Sequence, residues 1–155
     1  MILTLTPNPA LDLTYLVDEV RVHGEHRVRE ARAAAGGKGL NVARVLAELG
    51  VEAVCAGPLG GGVGQEVREL LEPVPGIRQA WTPIVGTTRR TVTVVGPGGA
   101  TGFNEPGPAV TDDEVRTLRE GLATLLAGTD PRIEAVTLNG SLPPGVSGAE
   151  LAQLV

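Results

Sequence analysis

The chain has 155 residues, a net charge of −5, 42% hydrophobic residues and 20% charged residues, a balance that suits one globular domain with a real core and excludes a disordered chain. Only three aromatic residues occur (Tyr15, Trp81 and Phe103) and there is no basic run, which argues against a nucleic-acid surface. No stretch of 18 apolar residues and no cationic signal-peptide head are present, so a cytoplasmic protein without membrane contact is expected. One cysteine, Cys55, excludes an internal disulfide and a metal site built on cysteine.

In chain order, residues 1–6 read as a short buried strand that stops at Thr6-Pro7-Asn8-Pro9. Residues 10–17 are apolar and β-branched, with Asp12 as their single charge. Period two puts Asp12 on the face of Thr14 and Leu16, so it is either an outward strand residue or an acceptor for ligand hydroxyls. Residues 26–32 alternate weakly and predict a solvent-facing strand. His23 and His26 lack the partners of a metal site and read as surface residues.

The stretch Gly36-Gly37-Lys38-Gly39-Leu40-Asn41 carries the strongest local signal. Its glycines let the backbone approach a ligand, and the amide groups opening the following helix suit an anion or polar hydroxyls. Lys38 is the only lysine among 13 cationic side chains, a compact ammonium where the rest of the chain uses arginine. A plain Gly-rich turn with a solvated lysine is the alternative. The phosphate-loop spacing fails, because Arg32 stands where its first glycine belongs, and the dinucleotide G-x-G-x-x-G spacing fails at both later Gly-rich turns.

Residues 41–50 predict a helix with Val42, Val45, Leu46 and Leu49 on its apolar face. A strand over 51–56, a loop over 57–62, a helix over 65–71 and a strand over 77–81 follow. This quick alternation implies βαβ units and a largely parallel sheet. Residues 87–105 break the rhythm with a β-hairpin turning at Gly96-Pro97-Gly98-Gly99. Alternation sends Arg89 and Arg90 to opposite faces: both are solvated, or one faces a cleft and binds an anion. Residues 111–127 predict a helix opened by the capping box Thr111-x-x-Glu114, with Val115, Leu118, Leu122, Leu125 and Leu126 on its apolar face. Residues 133–138 predict a buried strand leading into Asn139-Gly140-Ser141-Leu142-Pro143-Pro144-Gly145, which points Ser141 at the place where open α/β sheets hold ligands. A second capping box, Ser147-x-x-Glu150, predicts a last helix carrying Leu151, Leu154 and Val155.

Five motifs in this order, Thr6-Pro7-Asn8-Pro9-Ala10-Leu11-Asp12, Gly36-Gly37-Lys38-Gly39-Leu40-Asn41-Val42-Ala43, Thr88-Arg89, Asn104-Glu105-Pro106-Gly107-Pro108 and Ser141-Leu142-Pro143-Pro144-Gly145, resemble the PfkB (ribokinase-like) carbohydrate kinases. Within them the chain is most similar to the 1-phosphofructokinase and tagatose-6-phosphate kinase branch. Members are about twice this long, so the chain is expected to be an N-terminal half, incomplete at the C-terminus and inactive alone.

The resemblance implies a ribokinase-like three-layer α/β/α domain over residues 1–155, with a largely parallel sheet and a small β lid from strands near 10–17, 26–32 and 87–105. It implies that Asp12, Gly37 and Asn41 hold sugar hydroxyls, that Arg89 and Ser141 contact the sugar phosphate and that Lys38 acts electrostatically. Arg27 falls where some relatives send an arginine from a second subunit, which implies a homodimer through the lid.

The implied reaction moves the γ-phosphoryl group of ATP, with Mg²⁺ bridging phosphates, to a ketohexose phosphate such as fructose 1-phosphate. Tagatose 6-phosphate or another hexose phosphate is an alternative acceptor, and a non-catalytic sugar-phosphate binding module an alternative role. The family's Gly-Ala-Gly-Asp motif, which supplies the catalytic base and an anion hole, does not occur in this sequence. No catalytic, ATP-binding or metal-ligating residue is therefore assigned.

Overall fold

The computed structural model describes residues 1–130 and 132–149. Four parallel strands, β1 (Ile2–Leu5), β4 (Ala53–Gly60), β5 (Ile77–Ile84) and β8 (Ala135–Leu138), form the main sheet in the order β5-β4-β1-β8. Helices α1 (Lys38–Glu48) and α2 (Gly61–Leu71) pack on one face, where Leu40, Ala43, Val63, Val67 and Leu71 meet Ala53, Cys55 and Trp81. Helix α3 (Asp112–Ala127) covers the other face, with Leu118 and Leu122 against Leu3, Leu5 and Ala56. Alternation along β1 explains the division. Leu3 and Leu5 face α3, while Thr4 turns to the other side and donates to the Cys55 sulfur at 3.6 Å. Burial pushes the Cys55 thiol up. The architecture is a three-layer α/β/α fold with a parallel sheet.

A second sheet stands off the first. Strands β2 (Ala10–Leu16), β3 (Glu30–Gly36), β6 (Arg89–Gly96) and β7 (Gly99–Asn104) run in the order β3-β2-β6-β7. Strand β2 pairs antiparallel with β3 and parallel with β6, and β6 pairs antiparallel with β7. At its root this lid packs Leu11 and Ala35 into the main core, with Leu13 resting against it. Towards its tip the same apolar face opens to solvent, with Phe103 60% exposed.

Helix α3 begins at the expected capping box. Thr111 Oγ1 accepts from the Glu114 backbone N–H at 3.3 Å, and Glu114 Oε2 accepts from the Thr111 backbone N–H at 2.8 Å. Glu114 also accepts from the Val85 N–H at 2.7 Å, which ties the helix start to the end of β5. The Thr111 amide, with that of Val85, holds the Glu114 carboxyl below its ordinary range.

Several expectations are corrected. The strand expected over 26–32 lies at Glu30–Gly36, because pairing with β2 starts only at Leu16–Glu30. The loop expected over 57–62 does not exist. Strand β4 runs to Gly60 through pairing with Trp81, Thr82, Pro83 and Ile84, and α2 begins at Gly61. Strand β5 extends to Ile84 for the same reason. Helix α1 starts at Lys38, three residues early, and buries Gly39, Leu40 and Ala43. Val45 and Leu49, assigned to its apolar face, are exposed (54% and 73%). Leu46, from the same expected face, is partly buried and packs against the core beside Leu40 and Ala43, so the buried face overlaps the expected stripe only in part. Strand β8 begins at Ala135 and not at 133, and its ends are exposed while Val136 and Thr137 are half-buried. Leu126 on α3 is likewise exposed. From residue 150 on, the helix expected after Ser147 lies outside the described residues.

The two faces of α1 can be separated by urea unfolding. Leu40→Ala, at a fully buried site, should cost about 2–5 kcal/mol. Leu49→Ala should stay within about 0.5 kcal/mol. The reverse order would mean that the helix packs through the stripe first expected.

Candidate functional site

The strand order places β1 between β4 and β8. The chain moves from β1 outward to β4 and β5, then returns through α3 to β8 on the other side of β1. That reversal makes the carboxyl ends of β1 and β8 a topological switch point, the usual ligand crevice of an open parallel sheet. The Asn139 N–H donates to the Leu5 carbonyl at 3.0 Å, so the two strand exits leave side by side.

Most of the residues singled out in the sequence converge there. Strand β1 leaves through Thr6-Pro7-Asn8-Pro9 straight into β2. Ala10, the first residue of β2, is opposite both Gly36 and Arg89. The same lid root therefore holds Asp12, the approach to α1 and the start of β6. Gly37 caps α1 with φ of 118° and no side-chain cap, a backbone that favours glycine. The first amides of α1 are left without intrahelical partners. Gly39 lies against Thr6, whose hydroxyl is buried and has no hydrogen-bond partner among the described residues. Lys38 and Asn41 are exposed at the helix start, and the Asn41 Oδ1 accepts from Arg44 at 3.0 Å.

Asp12 is half-buried. Its Oδ1 accepts a hydrogen bond from the Thr91 hydroxyl on β6. On the other flank lies Gly36, where any Cβ would overlap the carboxylate. Asp12 is thus seated between two lid strands, and is neither a solvated strand residue nor an unpartnered buried charge. Arg89 is half-buried and Arg90 exposed. Arg89 Nε donates to the Asn8 carbonyl at 3.2 Å and Nη1 to the Glu105 carbonyl at 3.1 Å, which fixes the plane of the guanidinium while other N–H groups remain for an anion. Ser141, on the β8 exit, lies 3.4 Å from Asn8 Nδ2.

Arg27 is not part of this cluster. It sits in the 17–29 segment at the lid tip, beyond the Leu16–Glu30 pair, roughly 20 Å of strand from the root. His26 Nε2 accepts from the Arg21 N–H at 2.7 Å, and His23 is exposed. Among the described residues no group of three His, Cys, Asp or Glu gathers to hold a metal ion. No helix among them is long and apolar enough to cross a membrane. Three contributors went unassigned in the sequence: Asn8, Thr91 and Thr6. The placement of Asn8 between two prolines was the available clue.

A parallel α/β/α core with a β lid over its switch point defines the ribokinase-like class of fold. The chain matches the pfkB family carbohydrate kinase description over residues 8–153 and belongs to that family. It is similar to a tagatose-6-phosphate kinase of Staphylococcus epidermidis, 37% identical over 155 residues, covering 100% of this chain and 48% of the relative. Among solved structures it is similar to phosphofructokinase-2 from Escherichia coli in complex with fructose-6-phosphate (TM-score 0.88, 33% identity, 99% of this chain and 49% of that one). A tetrameric inhibited form of that enzyme matches with a TM-score of 0.87, 34% identity and the same shares. A possible 1-phosphofructokinase from Thermotoga maritima gives a TM-score of 0.90 at 32% identity, with 100% of this chain and 49% of that one covered. The chain thus spans about half the length of the relatives it matches.

The seat of Asp12 predicts a double-mutant cycle. Gly36→Ala should destabilise the chain by about 1–3 kcal/mol through overpacking. In an Asp12→Ala background most of that cost should vanish, because the overlapped carboxylate is gone. Additive costs in urea unfolding would show that Gly36 is needed for another reason.

Proposed function

We propose that the lid root is the acceptor-side site of an ATP-dependent sugar-phosphate kinase, and that the acceptor is a ketohexose phosphate such as fructose 1-phosphate. One observation carries this reading. At the switch point the fold gathers a seated carboxylate (Asp12), a Gly-opened helix start (Gly37, Lys38, Asn41), an oriented guanidinium (Arg89) and a hydroxyl (Ser141). The chemistry divides accordingly. Asp12, the Gly37 backbone and Asn41 suit sugar hydroxyls. Arg89 and Ser141 suit the phosphate through charge-assisted hydrogen bonds. Lys38 adds positive charge at the helix mouth.

Tagatose 6-phosphate is the second reading, favoured by the 37% identity to a protein of that name. ATP is the proposed donor, by family membership. A cytoplasmic location suits such metabolites. The exposed apolar lid tip, formed by Tyr15, Val22, Val28, Val94 and Phe103 around an open concavity of about 620 Å³, supports dimerisation through the lid. Such a dimer would carry Arg27 towards a neighbouring subunit's site.

The test joins residues 1–155 to the C-terminal half of a relative and measures ADP release across a ketose-phosphate panel. Residues 1–155 alone should release none, since phosphoryl transfer needs both substrates positioned. In the completed chain Arg89→Ala should raise the KM for the sugar phosphate by the equivalent of about 2–4 kcal/mol. Arg90→Ala should do far less. Equal effects of the two changes would contradict the assignment.

A further inference from the structure

We propose that Asn8 is a positioning residue that ties Arg89 and Ser141 into one phosphate-binding pair. The proposal rests on the acceptor-site reading above and extends it to a residue that never touches the sugar.

Three chain segments reach the switch point separately: the β1 exit, the return from the lid after β7, and the β8 exit. Asn8 lies on the first of these, is 5% exposed, and bonds to the other two and to Arg89 at the start of β6. Its backbone carbonyl accepts from Arg89 Nε at 3.2 Å, a bond that side-chain changes at position 8 leave in place, so variants at this position test the side-chain ties to Pro106 and Ser141. Its Nδ2 donates to the Pro106 carbonyl at 2.9 Å and lies 3.4 Å from Ser141 Oγ. The flanking Pro7 and Pro9 restrict the backbone on both sides, since Pro9 holds Asn8 in extended conformations and Pro7 fixes its own φ. The carbonyl that orients Arg89 is thus set by a stiff turn. On the other side, Gly107 has φ of 96° and any Cβ there would overlap the Asn8 amide. The lid return is shaped to admit this side chain.

The hydrogen-bond directions fit an anion. A Ser141 oxygen that accepts from Nδ2 keeps its own hydroxyl hydrogen to donate outward. An Arg89 whose Nε and Nη1 are held by carbonyls presents its remaining N–H groups elsewhere. An aliphatic side chain at position 8 would fill the space but leave the Pro106 carbonyl without this donor and Ser141 unoriented.

The experiment titrates the 155-residue chain with fructose 1-phosphate and with unphosphorylated fructose, following amide shifts by NMR to obtain both Kd values. In the unsubstituted chain the phosphorylated sugar should bind more tightly, and Arg89→Ala should remove most of that preference. Asn8→Ala should reduce the preference by about tenfold through a weaker Kd for fructose 1-phosphate, with the Kd for fructose unchanged. Where Ala at this position fails to fold, Asn8→Ser is measured in its place, with the same expectation in direction. A preserved preference in a folded Asn8 variant overturns the proposal, and so does an equal loss for both sugars, which is what a merely structural role would give. If the unsubstituted chain shows no preference for the phosphorylated sugar, the acceptor-site reading itself fails. That outcome is distinct from an intact Arg89 effect with no Asn8 effect, which removes this proposal alone.

Discussion

Pairing of β2 on both of its edges is the constraint on which the site depends. Ala10 opposes Gly36 on one side and Arg89 on the other, and two residues along Asp12 opposes Ala34 and Thr91. Two ladders fix the register of three strands at once, and a slip of one residue in either would turn Asp12 to the wrong face. Because β2 follows β1 after only four residues, the lid root is held against the carboxyl end of the main sheet. The carboxylate, the α1 entry and the Arg89 guanidinium are positioned by one hydrogen-bonded frame and not by loops that could drift apart.

The main sheet contributes the second half of the geometry. Its strand order leaves a crevice between the exits of β1 and β8, and these exits carry Asn8 and Ser141. Charged and polar groups from both sheets therefore meet where the chain connections part and the first amides of α1 lack intrahelical partners. In the proposed division of labour Asp12 and the helix start read the sugar, and Arg89 at the lid root and Ser141 at the β8 exit read its phosphate.

The sequence made some of this legible for clear reasons. The capping box at Thr111 and Glu114 is local and uses residue types that work alone, so it formed as expected. Strand-helix alternation implied the parallel sheet, and the ordered motifs implied the lid. Other features depend on tertiary partners. Gly57-Pro58-Leu59-Gly60 has loop composition, yet pairing with β5 makes it strand. The larger stripe on α1 looked like the core face, but Leu40 and Ala43 pack more closely. Strand β8 was read as buried from its composition, though its exposure depends on which neighbours the sheet supplies. Thr91 carries no recognisable local signal and Asn8 only its place between two prolines, because their roles consist of bonds to residues about 80 to 130 positions away.

Hydrogen exchange read by mass spectrometry reports whether sugar phosphate binds at the lid root. The chain is compared with and without saturating fructose 1-phosphate, and separately with tagatose 6-phosphate. The account predicts added protection in peptides covering 8–12, 36–41, 88–91 and 139–141, with the lid tip around 20–28 unchanged in monomeric samples. Protection confined to other segments, or none at saturating sugar phosphate, would contradict the placement of the acceptor site at the lid root.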